Sequence, residues 1–280
     1  MRKNSIFLLS VVILLAVFSP ANAYVLQGQH LLELMTQNFK KSRRLLVSQQ
    51  LVLYDNSGLR SAVELNETLR YDFPETFRSD ILSENVKRIH VLSKGMTLTV
   101  IDGKAAIESE TRYDRYKDIM LFNSRALLEK RLASHGVDFT ISSLGRFQGQ
   151  PAYVLGAQYP DETAPQIWLD KDTFRPIRWV ITGKVADNPE DCLEVRYLEW
   201  QRVHKTWYPM RVEFYKNDIL VRQINVDNIE AAPDFPEDLF NIDHLKSIYR
   251  LDTAAVPDQG AEKEQNEVQK TIEKFKKMYE

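Results

Sequence analysis

Residues that could carry out catalysis or bind a metal ion are few in this sequence, and they are scattered along it. None of the five histidines belongs to an H-x-H or H-E-x-x-H ligand pair. They are His30, His90, His135, His204 and His244. The single cysteine, Cys192, has no histidine close to it in the sequence, so a catalytic thiol would need a tertiary contact. We therefore expect no cofactor, no metal site and no enzyme activity; the enzyme alternative is a hydrolase that uses Cys192 or a pair of carboxylates.

Large apolar and aromatic residues recur instead at alternate positions in two parts of the chain. They are Leu65, Leu69, Tyr71 and Phe73 in the first part, and Trp168, Ile177, Trp179 and Ile181 in the second. Alternate side chains of a β-strand point to the same face of a sheet, so these residues are expected inside a curled sheet. That inside is either a core filled by its own side chains or an apolar hollow. A hollow would bind an apolar ligand, because burial of each CH₂ group yields about 0.8 kcal/mol.

The periodicity predicts a mainly β chain with a few helices. A helix is expected around residues 31–39, and the four basic residues between positions 40 and 44 suit its C-terminal end. A second helix is expected over residues 123–135. The predicted strands are 45–54, 62–73, 86–93, 96–101, 137–142, 145–148, 151–158, 166–170, 176–182, 193–201, 206–216 and 219–229. Such a series of short strands joined by turns predicts one antiparallel sheet that curls or closes.

The first 23 residues have the pattern of a cleavable signal peptide. Arg2 and Lys3 precede an apolar run over residues 6–18, and Ala21 and Ala23 supply the small residues that signal peptidase requires. The alternative is a membrane anchor, but a membrane-spanning helix needs about 20 apolar residues. We expect cleavage after Ala23 and export to the periplasm. No cysteine follows the run to carry a lipid, and no second long apolar run occurs, so we expect a freely diffusing protein rather than an integral membrane protein.

After the signal peptide, we expect one domain, residues 24–250, and a tail of different composition, residues 251–280. The formal net charge is −2 and becomes −4 when the cations of the signal peptide are removed, which gives no reason to expect a nucleic-acid partner. One cysteine excludes an internal disulfide and fits a bacterial periplasm. The tail is a polar linker followed by a charged helix with a thin apolar stripe. That helix is either solvated or a binding site for a partner.

Four short segments of the domain carry a resemblance to a known family. They are 69–77 (LRYDFPETF), 100–104 (VIDGK), 207–211 (WYPMR) and 238–242 (DLFNI). Together with the order of elements, they resemble the LolA/LolB-like family of periplasmic outer-membrane lipoprotein carriers and their relatives. Two positions differ from the carriers: Phe73 replaces an arginine, and Ile107 replaces a tryptophan.

The resemblance implies a half-closed antiparallel β-barrel of about 11 strands with a helical lid over an apolar cavity. It implies a monomeric periplasmic carrier that binds lipid acyl chains or lipoproteins and exchanges them with a membrane-bound donor or acceptor protein in outer-membrane lipoprotein sorting. The cavity would be lined by Leu69, Phe73, Phe77, Trp168 and Trp179, each of which could instead be ordinary core. The alternative function is a lipid-sensing regulatory or envelope-assembly module that contacts a membrane-protein partner.

Overall fold

The computed structural model describes residues 25–39, 42–54, 61–83, 86–106, 110–182 and 192–251. The predicted signal peptide, Ile107 and the charged tail lie outside this part of the chain. Within it the predicted fold class is confirmed, because 14 strands form one sheet and only short helices pack against it. The strand count exceeds the predicted number of about 11.

The strands are given in chain order with their bounds. They are β1 (Arg44–Tyr54), β2 (Ser61–Asp72), β3 (Thr76–Leu82), β4 (Lys87–Ser93), β5 (Met96–Ile101), β6 (Lys104–Ala106), β7 (Ser142–Phe147), β8 (Gln150–Leu155), β9 (Gln166–Asp170), β10 (Pro176–Thr182), β11 (Cys192–Val203), β12 (Thr206–Lys216), β13 (Ile219–Ala231) and β14 (Arg250–Leu251). Their order across the sheet is β14-β6-β5-β4-β3-β2-β1-β13-β12-β11-β10-β9-β8-β7. All neighbours are antiparallel except β14 and β6. The two edge strands, β7 and β14, do not pair in the described part of the chain, so the sheet is not closed.

One face of the sheet, which we call the inner face, encloses the main core. Leu45 pairs with Tyr71, and Val47 pairs with Leu69, so these four side chains of β1 and β2 point the same way. They pack in one cluster with Trp179 of the distant strand β10. Because side chains from both halves of the sheet meet in this cluster, the sheet curls around it.

Four helical elements lie on the inner side and one on the opposite, outer face. They are α1 (Gly28–Thr36), a 3-10 turn (Arg112–Lys117), α2 (Asp118–Leu121), α3 (Arg125–Ala133) and, on the outer face, α4 (Ile242–Ile248). We call residues 110–135, which include the 3-10 turn, α2 and α3, the cover segment. Its apolar side chains Ile119, Met120 and Leu121 belong to the main core, so the cover segment is packed into the inner face.

The two predicted helices are both present, the first shifted by three residues towards the N-terminus and the second with shorter bounds. The helix expected at residues 31–39 is α1, and its first residue must be small because a Cβ on Gly28 would lie 2.4 Å from the carbonyl oxygen of Phe139. The helix expected at residues 123–135 is α3, which begins after Ser124. The Ser124 hydroxyl accepts a hydrogen bond from the backbone N–H of Leu127 and caps that helix.

Two smaller apolar clusters occupy the outer face. The first joins strands β4 to β6 to α4; its buried members are Ile89, Val91, Leu98, Val100, Ala105, Ile242 and Leu245. The second lies on β8 and β9; its buried members are Ala152, Val154, Ala157 and Trp168. The sheet therefore buries apolar side chains on both faces at its two ends.

Some elements were not predicted, or were predicted wrongly. Strand β3 was missed because Ser79 interrupts its inner apolar positions, and the partner of Ser79 is the carboxylate of Glu67 on another strand. The strand predicted at 137–142 is absent because the Asp138 carboxylate accepts hydrogen bonds from both the backbone N–H and the hydroxyl of Thr140, which makes a turn. The chain forms one strand, β7, in place of the two predicted over 137–148.

Five further elements were missed because each is short. The 3-10 turn with α2 has a charged sequence without an apolar period, and β6 and β14 have only three and two residues. Helix α4 has seven residues and begins where the side chain of Asn241 accepts a hydrogen bond from the backbone N–H of His244. Its place is determined by the outer-face cluster rather than by its own periodicity.

The docking of α4 gives a stability prediction. Leu245→Ala removes a side chain that is 4% exposed, so we expect the free energy of unfolding to fall by about 2–4 kcal/mol in urea denaturation. Ile248→Ala is the matched control on the same helix, because Ile248 is 58% exposed, and we expect a change within about 0.5 kcal/mol. Equal losses from the two variants would contradict the packing of α4 described above.

Candidate functional site

Four of the five predicted lining residues lie on the inner face. Leu69, Phe77 and Trp179 are buried members of the main core, and Phe73 is half-buried and packs against it. The structure therefore brings these four side chains to one side of the sheet. Their role in binding a ligand stays a prediction.

The fifth residue, Trp168, lies on the outer face, and its expected inward orientation is corrected. Trp168 pairs with Arg178, whereas Trp179 pairs with Ile167, so the two tryptophans point to opposite faces. The pairing of β9 with β10 is irregular between Pro176 and Arg178, and this irregularity breaks the simple alternation on which the prediction depended. Trp168 consequently packs in the outer cluster, with the Arg178 guanidinium 5.3 Å from its ring centre.

Four aromatic side chains gather at one end of the inner face. The ring of Tyr71 stacks on Phe73 with centres 5.4 Å apart, and it meets Phe77 edge-on at 5.0 Å. The hydroxyls of Tyr71 and Tyr208 share a hydrogen bond of 3.1 Å. Burial, followed by the proximity of Tyr208, raises the pKa of Tyr71 well above its ordinary value, so this hydroxyl stays neutral. The result is an aromatic patch, open to solvent at the half-buried Phe73.

A row of buried polar side chains crosses the inner face from β1 to β5. Gln49 donates a hydrogen bond of 2.6 Å to the carboxylate of Glu67, and the hydroxyl of Ser79 donates to the same carboxylate. Nδ1 of His90 and the hydroxyl of Thr99 lie 2.9 Å apart and continue the row. The row thus consists of two hydrogen-bonded sets, and Oε1 of Gln49 and Nε2 of His90 are buried without a hydrogen-bond partner among the described residues. The inner face is therefore divided into an apolar part and a polar part.

The cover segment is attached to the sheet through polar contacts with several strands. The Arg88 guanidinium of β4 binds the Asp114 carboxylate at 2.7 Å. The hydroxyl of Tyr197 on β11 donates to the backbone carbonyl of Tyr116 at 3.0 Å, and Gln49 donates to the hydroxyl of Tyr116 at 3.2 Å. The cover segment is thus held over the inner face by contacts with strands from both halves of the sheet, β4 and β1 in one half and β11 in the other.

A cluster of buried charges lies within the cover segment. The ammonium of Lys117 has no solvent exposure; it donates to the Glu110 carboxylate and, at 2.6 Å, to the carbonyl of Asp114. Arg131 of α3 binds both Glu110 and, at 2.7 Å, Asp118. Together with Arg88, these residues bring three carboxyl groups together with three cations. A buried cluster of this kind orients the segment even where its net effect on stability is small.

The pKa values in this cluster are shifted from their ordinary values. Burial, opposed by the charge of Lys117, raises the pKa of Asp118 to about 7. Burial alone would raise the pKa of Asp114, but the Arg88 guanidinium, followed by His90 and Lys117, holds it well below its ordinary value. Burial lowers the pKa of Lys117, and the carboxylates of Asp118 and Asp114 oppose that effect. Both members of the ion pair between Arg88 and Asp114 are therefore charged at neutral pH.

The enzyme alternative has little chemical support at its proposed nucleophile. Cys192 begins β11, and its burial, followed by the charge of Glu194, raises the pKa of the thiol, which disfavours the reactive thiolate. In the part of the chain that the structure describes, no group of three or more His, Cys, Asp and Glu side chains could hold a metal ion. No helix among the described residues has both the length and the apolar character needed to cross a membrane.

Burial of His90 predicts a pH dependence of stability. Burial lowers the pKa of His90 to about 3, with Asp114 opposing, so the folded chain keeps it neutral while the unfolded chain takes up a proton below pH about 6.5. The unfolded state then binds more protons, and stability falls as the pH drops from about 6.5 towards 3. Between pH 7 and pH 5 we expect this residue to account for a loss of about 2 kcal/mol in the free energy of unfolding.

The measurement compares urea denaturation at pH 7 and pH 5 for the natural chain, His90→Gln and His244→Gln. The His90→Gln variant should lose less stability on acidification than the natural chain by about 2 kcal/mol. His244, which has a side chain 42% exposed, is the control for loss of a histidine at the surface. A His90→Gln variant with the natural pH dependence would contradict a neutral, buried His90.

Comparison with known proteins identifies the fold. No family model matches the sequence, and no curated protein matches it. Among solved structures, a candidate outer membrane lipoprotein-sorting protein domain from Vibrio parahaemolyticus is similar, with a TM-score of 0.52 at 10% identity over 78% of this chain and 98% of that one. A LolA superfamily protein from Nitrosomonas europaea gives 0.52 at 12% identity, over 78% and 99%. A DUF1329 family protein from Desulfovibrio piger gives 0.54 at 10% identity, over 78% and 97%.

These structures are matched over nearly their whole length and over 78% of this chain, so the likeness concerns the overall fold rather than one motif. At 10–12% identity it concerns the fold alone. The open, curled antiparallel sheet with helices on its inner side is therefore the LolA-like fold.

Proposed function

We propose that this chain is a periplasmic carrier that binds lipid acyl chains, free or as part of a lipoprotein, on the inner face of its sheet. The observation that carries the proposal is the construction of that face: an apolar and aromatic surface is covered by a separate segment, which combines apolar side chains packed on the face with ion pairs and hydrogen bonds to the surrounding strands. Similar folds belong to a candidate lipoprotein-sorting domain and to a LolA superfamily protein, which supports the same class of cargo.

The energetics of the inner face explain how cargo would enter. The cover segment fills the face with its own side chains, including the fully buried Ile119 and Leu121. An acyl chain would replace these contacts. Burial of about ten CH₂ groups yields about 8 kcal/mol, which offsets the exposure of the side chains that the cargo displaces. Loading is then an exchange of one apolar occupant for another, which keeps it reversible.

The polar contacts make this exchange feasible. When the cover segment moves away, the charged groups of Arg88 and Asp114 regain water, so their separation costs less than the exposure of an equal apolar area. Lys117, whose ammonium lies 5.1 Å from the ring centre of Phe77, would leave the apolar part of the face at the same time. The carrier would release its cargo to an acceptor by the reverse movement.

The alternative function, a regulatory or envelope-assembly module with a membrane-protein partner, rests on the apolar stripe of residues 261–280. That segment lies outside the described residues. The alternative therefore stays a prediction. Export and domain boundaries are likewise part of the proposal: residues 1–23 would be removed, and residues 24–250 would form the carrier domain.

Export predicts a defined mature N-terminus. If residues 1–23 are a signal peptide, the protein recovered from a bacterial periplasm should begin at Tyr24, as read by mass spectrometry of its N-terminal peptide. Ala23→Asp places a charged residue at the position that must be small, and it should abolish processing. Asn22→Asp is the control, because the residue between the two small positions is free to vary. Processing that survives Ala23→Asp and still yields Tyr24 would contradict the assigned cleavage site.

Cargo binding predicts a difference between the two faces of the sheet. Phe73 and Phe147 are both half-buried, but Phe73 lies on the inner face, and Phe147 packs against the outer cluster. In titrations of the delipidated protein with a fluorescent fatty acid, Phe73→Ala should weaken binding by about 5- to 30-fold, because the loss of an apolar contact of about 1–2 kcal/mol is expected. Phe147→Ala should change the affinity less than twofold.

Two outcomes would overturn the carrier proposal. One is a natural protein that takes up no fluorescent fatty acid and comes from the periplasm without lipid by mass spectrometry. The other is an equal loss of affinity in the inner-face and outer-face variants, because binding would then not depend on the inner face.

A further inference from the structure

A cleft of about 490 Å³ opens where three strand ends meet, at the start of β1, the β11–β12 turn and the end of β13. Its wall is formed by Ala231 and Ala232, whose small side chains leave the space free, and its rim is formed by Arg43, His204 and Lys205. The three rim side chains are exposed. The cleft therefore combines a narrow apolar wall with a cationic rim.

The cationic groups at this rim lack partners. Within the described ranges, no carboxylate pairs with the side chains of Arg43, His204 or Lys205. The nearby Arg44 is different, because its guanidinium lies 3.3 Å from the carboxylate of Asp72 and 4.0 Å from that of Asp234. The carboxylates at this end of the sheet thus neutralise Arg44 and leave the charges of Arg43 and Lys205 available to an anion.

The turn that carries two of these side chains, His204–Lys205, differs in residue type from the other two-residue hairpin turns of the described sheet. The turns Lys94–Gly95, Asp102–Gly103 and Gln148–Gly149 each contain glycine, and Asn217–Asp218 uses residues that tolerate the left-handed region. The turn His204–Lys205 contains no glycine, and His204, which has a φ of 52°, is of a residue type enriched in the left-handed region. Backbone conformation therefore accounts for His204, whereas it does not require a lysine at position 205.

The cleft is continuous with the aromatic end of the inner face. Ala231 pairs with Leu45, which pairs with Tyr71, so all three lie on the inner face. Ala231 packs against the main core, and the backbone N–H of Phe73 donates to the carbonyl of Arg43 at 2.9 Å. A molecule with its anionic end in the cleft can consequently place an apolar end on the patch that contains Tyr71 and Phe73.

We infer that this cleft binds the phosphate headgroup of an anionic lipid whose acyl chains lie on the inner face. A phosphate suits this cleft, because its oxygens can accept hydrogen bonds from Arg43 and Lys205 together, and these side chains approach the cleft from the start of β1 and from the β11–β12 turn. The inference rests on the proposed carrier function and gives it a cargo class, the phospholipids. The sequence prediction placed Arg43 at the end of the first helix; the structure instead places it at the cleft, directly before β1.

The test titrates the full mature chain with dihexanoyl phosphatidylglycerol, kept below the concentration at which it forms micelles, and with dihexanoyl phosphatidylcholine. We expect the anionic lipid to bind about tenfold more tightly than the zwitterionic one. The double variant Arg43→Gln/Lys205→Gln should lose that preference while keeping its uptake of fluorescent fatty acid. The control Lys94→Gln/Lys171→Gln removes the same charge from exposed turn lysines elsewhere and should keep the preference.

Several outcomes separate this inference from its alternatives. If the cleft variant and the control variant prefer phosphatidylglycerol over phosphatidylcholine to the same degree, the inference is overturned and the carrier proposal stays intact. Competition by inorganic phosphate as strong as that of the anionic lipid would overturn it in favour of a site for free phosphate. Binding to phosphatidylglycerol vesicles without binding to the monomeric lipid would overturn it in favour of a membrane-docking surface. If the natural chain takes up no fatty acid but keeps the tenfold preference, the carrier proposal fails, and the headgroup site in the cleft is supported.

Discussion

The burial of Lys117 is the constraint on which the arrangement of the inner face depends. An ammonium group without solvent exposure must keep its hydrogen-bond acceptors, and these come from the cover segment itself, from the Glu110 carboxylate and the Asp114 carbonyl. Asp114 in turn binds Arg88 of the sheet. The position of the cover segment is therefore set by charges that must be satisfied together, and the apolar side chains beside them are carried into the core.

This construction separates two tasks that a binding face must perform. The apolar and aromatic side chains supply affinity, since hydrophobic contacts are non-directional and can be made with any apolar chain of suitable width. The polar row from Gln49 to Thr99 and the charge cluster supply position, since their hydrogen bonds are directional. A protein with a wholly apolar interior would have no comparable means of returning the cover segment to one place after its cargo has left.

The sequence was sufficient for the bounds of strands that lie between clear turn signals, and insufficient where partners are remote. Strands β5, β9, β10 and β12 have the predicted bounds, although the pairing of β9 with β10 is irregular. The charge cluster could not be foreseen, because residues 110–118 read as a solvated charged stretch, and Arg88 and Arg131, the cations that make their burial tolerable, lie far away in sequence. The cleft was missed for the same reason, since it joins three strand ends.

The error at Trp168 shows how much depends on a single position. Ile177 packs on the outer face with Trp168, yet Trp179, two residues later, is on the inner face. The irregular pairing at this point is equivalent to one additional residue in β10. That residue sets the sidedness of β7, β8 and β9 relative to the rest of the sheet. Regular pairing from Pro176 and Leu169 onwards would place Trp168 opposite Ile177 and Gln166 opposite Trp179, and so would exchange the two surfaces of those three strands while leaving their amino acids unaltered. In this part of the chain, the register between β9 and β10, rather than the residue types, determines which side chains face the core.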